Sequence, residues 1–191
     1  MRATADVTLV TASMPERHRM LGELCASVAA QDVAPRAHLI AVDYPEDGFV
    51  ATINRLARQV TTSWLMVLPD DDLLDRWHLS TIVAAAGWYD VAYTWCRSEG
   101  RDGWTPNSAF DAETLRRTNF IPGGAALIRT DLWKRLGGYR TTPDWDGAED
   151  WDFWIRALDA GAEFVCEPTV TWTYRFHGQS LSLGQLPYHR K

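Results

Sequence analysis

The sequence predicts an α/β domain with a mostly parallel central sheet and helices on both faces. Short apolar runs rich in β-branched residues recur at 7–10, 39–42, 64–68 and 91–95. Between them the apolar residues change to helical spacing. The 191-residue chain is 46% hydrophobic and 23% charged, enough apolar mass for a core without disulfide or metal staples.

The first strand, Val7-Thr8-Leu9-Val10, is broken by Thr11 to Pro15. From Glu16 a helical stripe carries Met20, Leu21, Leu24 and Val28 and ends near Gln31. Leu39-Ile40-Ala41-Val42 is the second strand and stops at Asp43. Phe49 to Val60 reads as a helix with Ile53, Leu56 and Val60 inward. Trp64 to Leu68 is the third strand, followed at once by Asp70-Asp71-Asp72. A helix over Arg76 to Ala86 and a strand over Val91 to Trp95 complete the alternation. Arg97 to Asn107, with Gly100, Gly103 and Pro106, reads as a long loop. After Gly123-Gly124 come a strand at Ala125 to Ile128 and a helix opened by Thr130 and closed by Gly137-Gly138. A last helix, Glu149 to Ala160, precedes a strand at Thr169 to Tyr174. No repeat or linker interrupts the series, so residues 1–191 read as one domain.

A formal charge of −6, with 19 Lys and Arg against 25 Asp and Glu, disfavours a phosphate-backbone binder, so nucleic acid is not the expected partner. Cys25, Cys96 and Cys166 are odd in number and widely spaced, and read as reduced thiols. No stretch has the length and apolarity of a transmembrane segment or leader; a soluble, cytoplasmic protein is the expectation. The ten Trp supply flat area for stacking a sugar or base, although half or more should be core.

Ligands of open parallel sheets bind beyond the carboxyl ends of the strands. Thr11, Asp43 and Asp70-Asp71-Asp72 all fall at such ends, and therefore on one rim. Hard cations such as Mg²⁺ and Mn²⁺ take carboxylate oxygens together with substrate phosphates, and Asp70 and Asp72 have the Asp-x-Asp spacing. The plainer reading of the triplet is a solvated turn capping the next helix. Asp146 and Glu149 fit a capping box, with Glu149 third in the helix. Asp152 and Arg156 can pair on the exposed side at i,i+4. Asp150, one residue off the apolar stripe of Trp151, Ile155 and Leu158, can reach a cleft edge. There a carboxylate of ordinary pKa, ionised at pH 7, can take a proton from a hydroxyl. Arg175 can clamp a diphosphate, and His177 can ligate a metal. His18, His38, His78 and His189 show no ligand spacing and read as structural or exposed.

Taken together, these segments resemble family 2 glycosyltransferases of the GT-A, Rossmann-like fold. "VTLVTASMPERHRMLGELCASVAAQ" looks like their opening strand, loop and helix, and "TINRLARQVTTSWLMVLPDDDLLDRWHL" like their Asn-bearing helix, strand and Asp-x-Asp segment. "GAEDWDFWIRALDAG" resembles their Glu-Asp helix and "YRFHGQS" their closing element. The resemblance spans residues 7–182. It implies a nucleotide-binding half of about 1–96 and an acceptor half of about 97–191. It further implies inverting sugar transfer from a nucleotide diphosphate donor, a UDP-sugar being favoured, with Mn²⁺ or Mg²⁺ as cofactor. Thr11, Arg17, Asp43, Asn54, Asp70, Gly123, Gly124 and Arg175 would then serve the donor. Asp70, Asp71, Asp72 and His177 would serve the metal, and Asp150 with Glu149 would serve catalysis. A glycan, a protein or a lipid-linked sugar would be the acceptor, met by the Arg97 to Asn107 loop, the Trp145 region or the tail. The family's early Asn-Arg-Pro reads Ser13-Met14-Pro15 here, a departure in the donor loop.

Two other readings use the same residues. A metal-dependent nucleotidyltransferase or pyrophosphatase needs a Gly-rich basic loop near the N-terminus, and Thr11 to Arg19 has two Arg but no Gly. A non-catalytic sugar-binding module has no need of the acidic triplet, Glu149-Asp150 and His177 together.

Overall fold

The computed structural model describes residues 2–42, 48–103, 105–141 and 148–178. Asp43, Trp145, Asp146 and His189 lie outside them. The elements are β1 (Thr4–Ser13), a single 3-10 turn (Pro15–Arg17), α1 (His18–Ala29), β2 (Ala34–Val42), α2 (Phe49–Ala57), β3 (Trp64–Val67), β4 (Leu73–Leu74), α3 (His78–Ala86) and β5 (Val91–Glu99). They continue with α4 (Ala112–Leu115), β6 (Leu127–Arg129), α5 (Thr130–Leu136), α6 (Glu149–Asp159) and β7 (Phe164–Arg175).

The seven strands lie in the order β2-β1-β3-β6-β5-β7-β4. The expected mostly parallel sheet is instead mixed. β1 runs parallel to β2 and β3, and β5 parallel to β7, but β6 is antiparallel to both β3 and β5, and β4 antiparallel to β7. The cause is the segment after β5. Residues 100–126 are long enough for a parallel crossover, but among the described residues of that segment the one helix is the four-residue α4, too short to carry the chain back along the sheet. The chain therefore stays at the carboxyl end of β5, and β6 enters the sheet from that end. β1, β3, β5 and β7 all point to one rim, and the start of β6 sits on the same rim.

Alternation along the strands sends side chains to two cores. Leu65 and Val67 join Ile53, Leu56, Leu132, Trp151 and Trp154 from α2, α5 and α6. Met66 and Leu68 join Leu24, Val28, Leu79 and Ile82 from α1 and α3 on the opposite face. Helices thus cover both faces, as the sequence predicts. Trp64, Trp133, Trp151, Trp154 and Trp172 are core, while Trp77 and Trp88 are exposed.

In α6 the Asp152–Arg156 pair forms at 2.8 Å, but it is largely buried, with Asp152 buried and Arg156 half-buried, rather than exposed. The reason is a second task for Arg156, which donates to the carbonyls of Leu136 and Gly138 at 2.9 and 2.7 Å and so satisfies the end of α5. The helix begins at Glu149 with Ala148 at its N-cap, so Glu149 is its first residue and not its third.

Asn54 of α2 clamps the same corner. Its amide donates to the Tyr139 carbonyl at 2.9 Å and accepts from the Tyr139 N–H at 3.0 Å. Gly138 allows this approach, with φ at +74° and an added Cβ only 2.2 Å from Asn54 Oδ1. Gly138→Ala should therefore cost about 2–3 kcal/mol, read as a fall of several degrees in the thermal midpoint. An unchanged midpoint would mean that the corner gives way at no cost.

Candidate functional site

The rim gathers most of the residues singled out from the sequence. Thr11, at the end of β1, donates its hydroxyl to the Leu68 carbonyl at 2.8 Å. With that proton committed, the His38 ring must donate from Nε2 to Thr11 Oγ1, also at 2.8 Å. Burial lowers His38 to about 4, so the ring is neutral and structural. His78 is buried against Thr171 and lowered likewise. Thr11 thus ties β1 to β3 just below the triplet.

The three aspartates are buried and differ in their partners. Asp70 accepts from Ser13 Oγ at 2.8 Å and from Arg17 at 3.0 Å. Asp71 accepts from the same Arg17 nitrogen at 3.2 Å and from His177 Nε2 at 3.0 Å. Asp72 Oδ1 accepts the Arg175 backbone N–H at 3.0 Å, while Oδ2 is buried with no hydrogen-bond partner. Burial, reinforced by the Asp71 charge, holds the Asp72 carboxyl well above the usual carboxylate range. The triplet is therefore not a solvated turn. It is a buried acidic cluster offset by Arg17, Arg175 and His177.

Arg175 donates from Nε to the Asp71 carbonyl and from its terminal nitrogen to Glu23 of α1. A cavity of about 300 Å³ opens beside it, lined by Glu16, Arg17, Arg19, Met20, Glu23 and Arg175. The sequence pointed to Arg17 and Arg175 here, but not to Ser13 or Glu23. Ser13 stands where the resemblance shows its departure, and its hydroxyl makes a short bond to Asp70.

Gly123 and Gly124 join the triplet to the Glu-Asp pair. A Cβ on Gly123 would meet Asp150 Cβ at 2.7 Å and Oδ2 at 2.9 Å. On Gly124 it would meet Pro69 at 2.8 Å and Asp72 Oδ2 at 3.2 Å. Successive Cα atoms are only about 3.8 Å apart, so one dipeptide touches both acidic groups and places them on one rim. Asp150 Oδ1 accepts from the Trp151 N–H at 2.7 Å, and Oδ2 from Asn119 Nδ2 at 3.2 Å. Burial pushes Asp150 up to about 6 despite these donors and a further one from the Gly123 backbone. Burial thus holds the carboxyl above the ordinary carboxylate range, yet leaves it mostly ionised at pH 7. Glu149, half-buried, precedes it in the first turn. Asn54 lies at the α5 corner, spending its amide on Tyr139.

Among the described residues, no three Asp, Glu, His or Cys side chains converge as a ready-made cation cage, because Asp70 and Asp71 are turned onto Arg17. A hard cation bound mainly through substrate phosphates requires only one or two protein carboxylates. The Asp72 Oδ2, which has no hydrogen-bond partner among the described residues, can meet that lesser demand, with the Asp71 carboxylate on the same segment, bonded to His177. Among the same residues no helix is long and apolar enough to cross a membrane.

No family model and no curated protein matches the sequence. Solved structures do match its fold. TarS 1–349 of S. aureus, in complex with UDP-GlcNAc, superposes with a TM-score of 0.73 at 15% identity, over 93% of this chain and 60% of that one. The mannosyltransferase PcManGT of Pyrobaculum calidifontis, in complex with GDP-Man and Mn²⁺, gives 0.70 at 16% identity, over 94% and 59%. This chain therefore spans about three fifths of the length of those solved chains. At such identities the likeness is one of fold: the chain is an α/β domain of the GT-A-like kind, with a mixed sheet flanked by helices.

Proposed function

We propose that the chain is a metal-dependent, inverting glycosyltransferase that moves a sugar from a nucleotide diphosphate, a UDP-sugar being favoured, to an acceptor hydroxyl. The observation that carries this reading is the Gly123-Gly124 bridge, which sets a carboxylate of raised pKa beside a buried triplet holding an unpartnered oxygen. Structures of the same fold hold UDP-GlcNAc in one case and GDP-Man with Mn²⁺ in another, which supports the donor class and the cation.

Asp150 accepts the proton of the acceptor hydroxyl as its oxygen bonds to the anomeric carbon. The bond from that carbon to the diphosphate oxygen breaks in the same displacement, and its electron pair leaves with the nucleoside diphosphate. Glu149 is the second carboxylate on this helix turn and flanks the acceptor. Arg17 and Arg175 bring positive charge to the donor side, where the leaving group gains negative charge. Asp72, with Asp71 and His177, would hold Mn²⁺ or Mg²⁺, which when bound supplies further charge neutralisation to the leaving diphosphate. Asp70 and Thr11 shape the floor of the donor pocket, which Asp43 would also serve in this reading, while Asn54 holds the Tyr139 corner. A glycan, a protein or a lipid-linked sugar supplies the hydroxyl.

The test is a screen of nucleotide sugars with Mn²⁺ and with Mg²⁺, read as release of free nucleoside diphosphate in the presence of each acceptor class. Metal-dependent release, greatest from a UDP-sugar, is expected. No release from any donor overturns the proposal, and release of pyrophosphate instead favours nucleotidyl transfer.

A further inference from the structure

Asn119 lies in the irregular segment between α4 and β6 and belongs to none of the motifs quoted above. Two indoles on α6 pin this segment on either side of it. Trp151 Nε1 donates to the Leu115 carbonyl at 2.7 Å, and Trp154 Nε1 to the Ile121 carbonyl at 2.9 Å. Both tryptophans are buried. The segment bearing Asn119 is thereby fixed to the helix that presents Asp150, and Asn119 Nδ2 is held 3.2 Å from Asp150 Oδ2. The orientation of the amide is informative, because Asn119 Oδ1 is buried with no hydrogen-bond partner. Turning the amide over would aim that oxygen at an ionised carboxylate, so an unsatisfied acceptor is tolerated in order to keep a donor on Asp150.

We infer that Asn119 is the positioning residue of Asp150: it fixes the direction of the carboxylate and favours its ionised, proton-accepting form. This rests on the assignment of Asp150 as the base. The Trp151 backbone donates to Oδ1 and Asn119 to Oδ2; the Gly123 backbone adds a third donor, so Asn119 is the one side chain in the set. The rotation about the Cβ–Cγ bond is fixed by these donors. The Tyr139 phenol faces the Asp150 charge, and Glu149 precedes it on the same turn. Neither donates a hydrogen bond that replaces Asn119. A donor to the charged form opposes the burial that raises the carboxyl.

Two variants test this. Asn119→Leu keeps the number of side-chain heavy atoms and removes the donor, and Asn119→Asp keeps the shape and replaces the donor with an acceptor. In Asn119→Leu the Asp150 carboxyl followed by ¹³C NMR in the full chain should titrate about one pH unit higher than in the parent protein; in Asn119→Asp, where a second carboxyl stands beside it, the pair should titrate higher still. The acid limb of the transfer-rate profile should move up by the same amount as the titration, with the rate largely recovered at pH 8.5 in Asn119→Leu. A structural role alone would lower the rate equally at every pH and leave the titration in place, and that result overturns the inference. Should Asn119→Leu fail to fold, Asn119→Asp decides by the same titration. If no nucleotide sugar is consumed by the parent protein, it is the transferase reading that fails, and the NMR titration still decides whether Asn119 governs Asp150.

Discussion

Asp150→Asn should lower the rate of sugar transfer by about 10²-fold or more, while the protein melts at a higher temperature near neutral pH. The two effects share one cause. Burial lifts this carboxyl from an ordinary value of 3.8 to about 6, so in the folded state it is a stronger base than an exposed aspartate and still mostly ionised at pH 7. Between about pH 4 and pH 6 the folded protein holds a proton that the unfolded chain has released. Stability therefore falls as pH rises through that window, and above it the full cost of the buried charge remains. Removing the charge should return between about 1 and 3 kcal/mol at pH 7, worth several degrees in the midpoint. The Asn119 amide can turn over to meet the new side chain, giving its buried, unpartnered Oδ1 a donor. Nucleotide affinity should be nearly unchanged, since in the proposed mechanism the carboxylate serves the acceptor and not the nucleotide. In the parent protein the rate should fall as pH drops below about 6. A variant with normal turnover, or one that melts lower than the parent at pH 7, would remove Asp150 from the role of base.

A gain in stability on losing a charged group separates a functional carboxylate from a structural one. Asp152 is the contrasting case four residues before Arg156, satisfied by a 2.8 Å ion pair and buried with it. Breaking that pair leaves a largely buried guanidinium short of its partner and should destabilise the fold. The two aspartates sit two positions apart on one helix and cannot be told apart by composition.

That contrast also shows what the sequence could convey. β1, β3 and α6 were legible because their periods are set by burial on known faces, and the rim location of the triplet followed from strands ending together. The direction of β6 was not legible. Periodicity carries no sign, and β6 is antiparallel because the long segment 100–126 has, among its described residues, no helix beyond the four-residue α4 to return the chain along the sheet. β7 was read as starting at Thr169, yet it begins at Phe164, because Glu167 and Pro168 interrupt the pattern where the register with β5 shifts. The paired glycines signal a close approach to donor sugar or acceptor, while the contacts a Cβ would meet there are Asp150, Pro69 and Asp72. Asn119 gave no signal at all, since its function depends on two indole bonds that set a loop against a helix 31 residues away. The depth of the Asp152–Arg156 pair was hidden for the same reason, since Arg156 is drawn inward by carbonyls of another helix.

Replacing Asp72 alone should then have the largest effect on donor binding. Of the three neighbouring carboxylates, Asp70 and Asp71 already have Arg17, Ser13 and His177 as partners. Only Asp72 has a buried oxygen with none. A carboxylate left in that condition costs the fold stability unless a cation or a proton arrives. Asp72→Asn keeps an acceptor for the Arg175 N–H, removes the charge and should raise the thermal midpoint of the metal-free protein. The same change should weaken UDP binding in the presence of Mn²⁺ by at least about tenfold, because a cation bridging to substrate phosphates loses its protein anchor. UDP binding without metal should hardly change, and Asp71→Asn should give a smaller loss, since its carboxylate is shared with Arg17 and His177. Calorimetric titration of UDP with and without Mn²⁺ distinguishes these outcomes. Equal affinity of Asp72→Asn and the parent protein with Mn²⁺ present would leave the orphaned oxygen without a cation to hold, and the acidic rim would have to act through Arg17 and Arg175 instead.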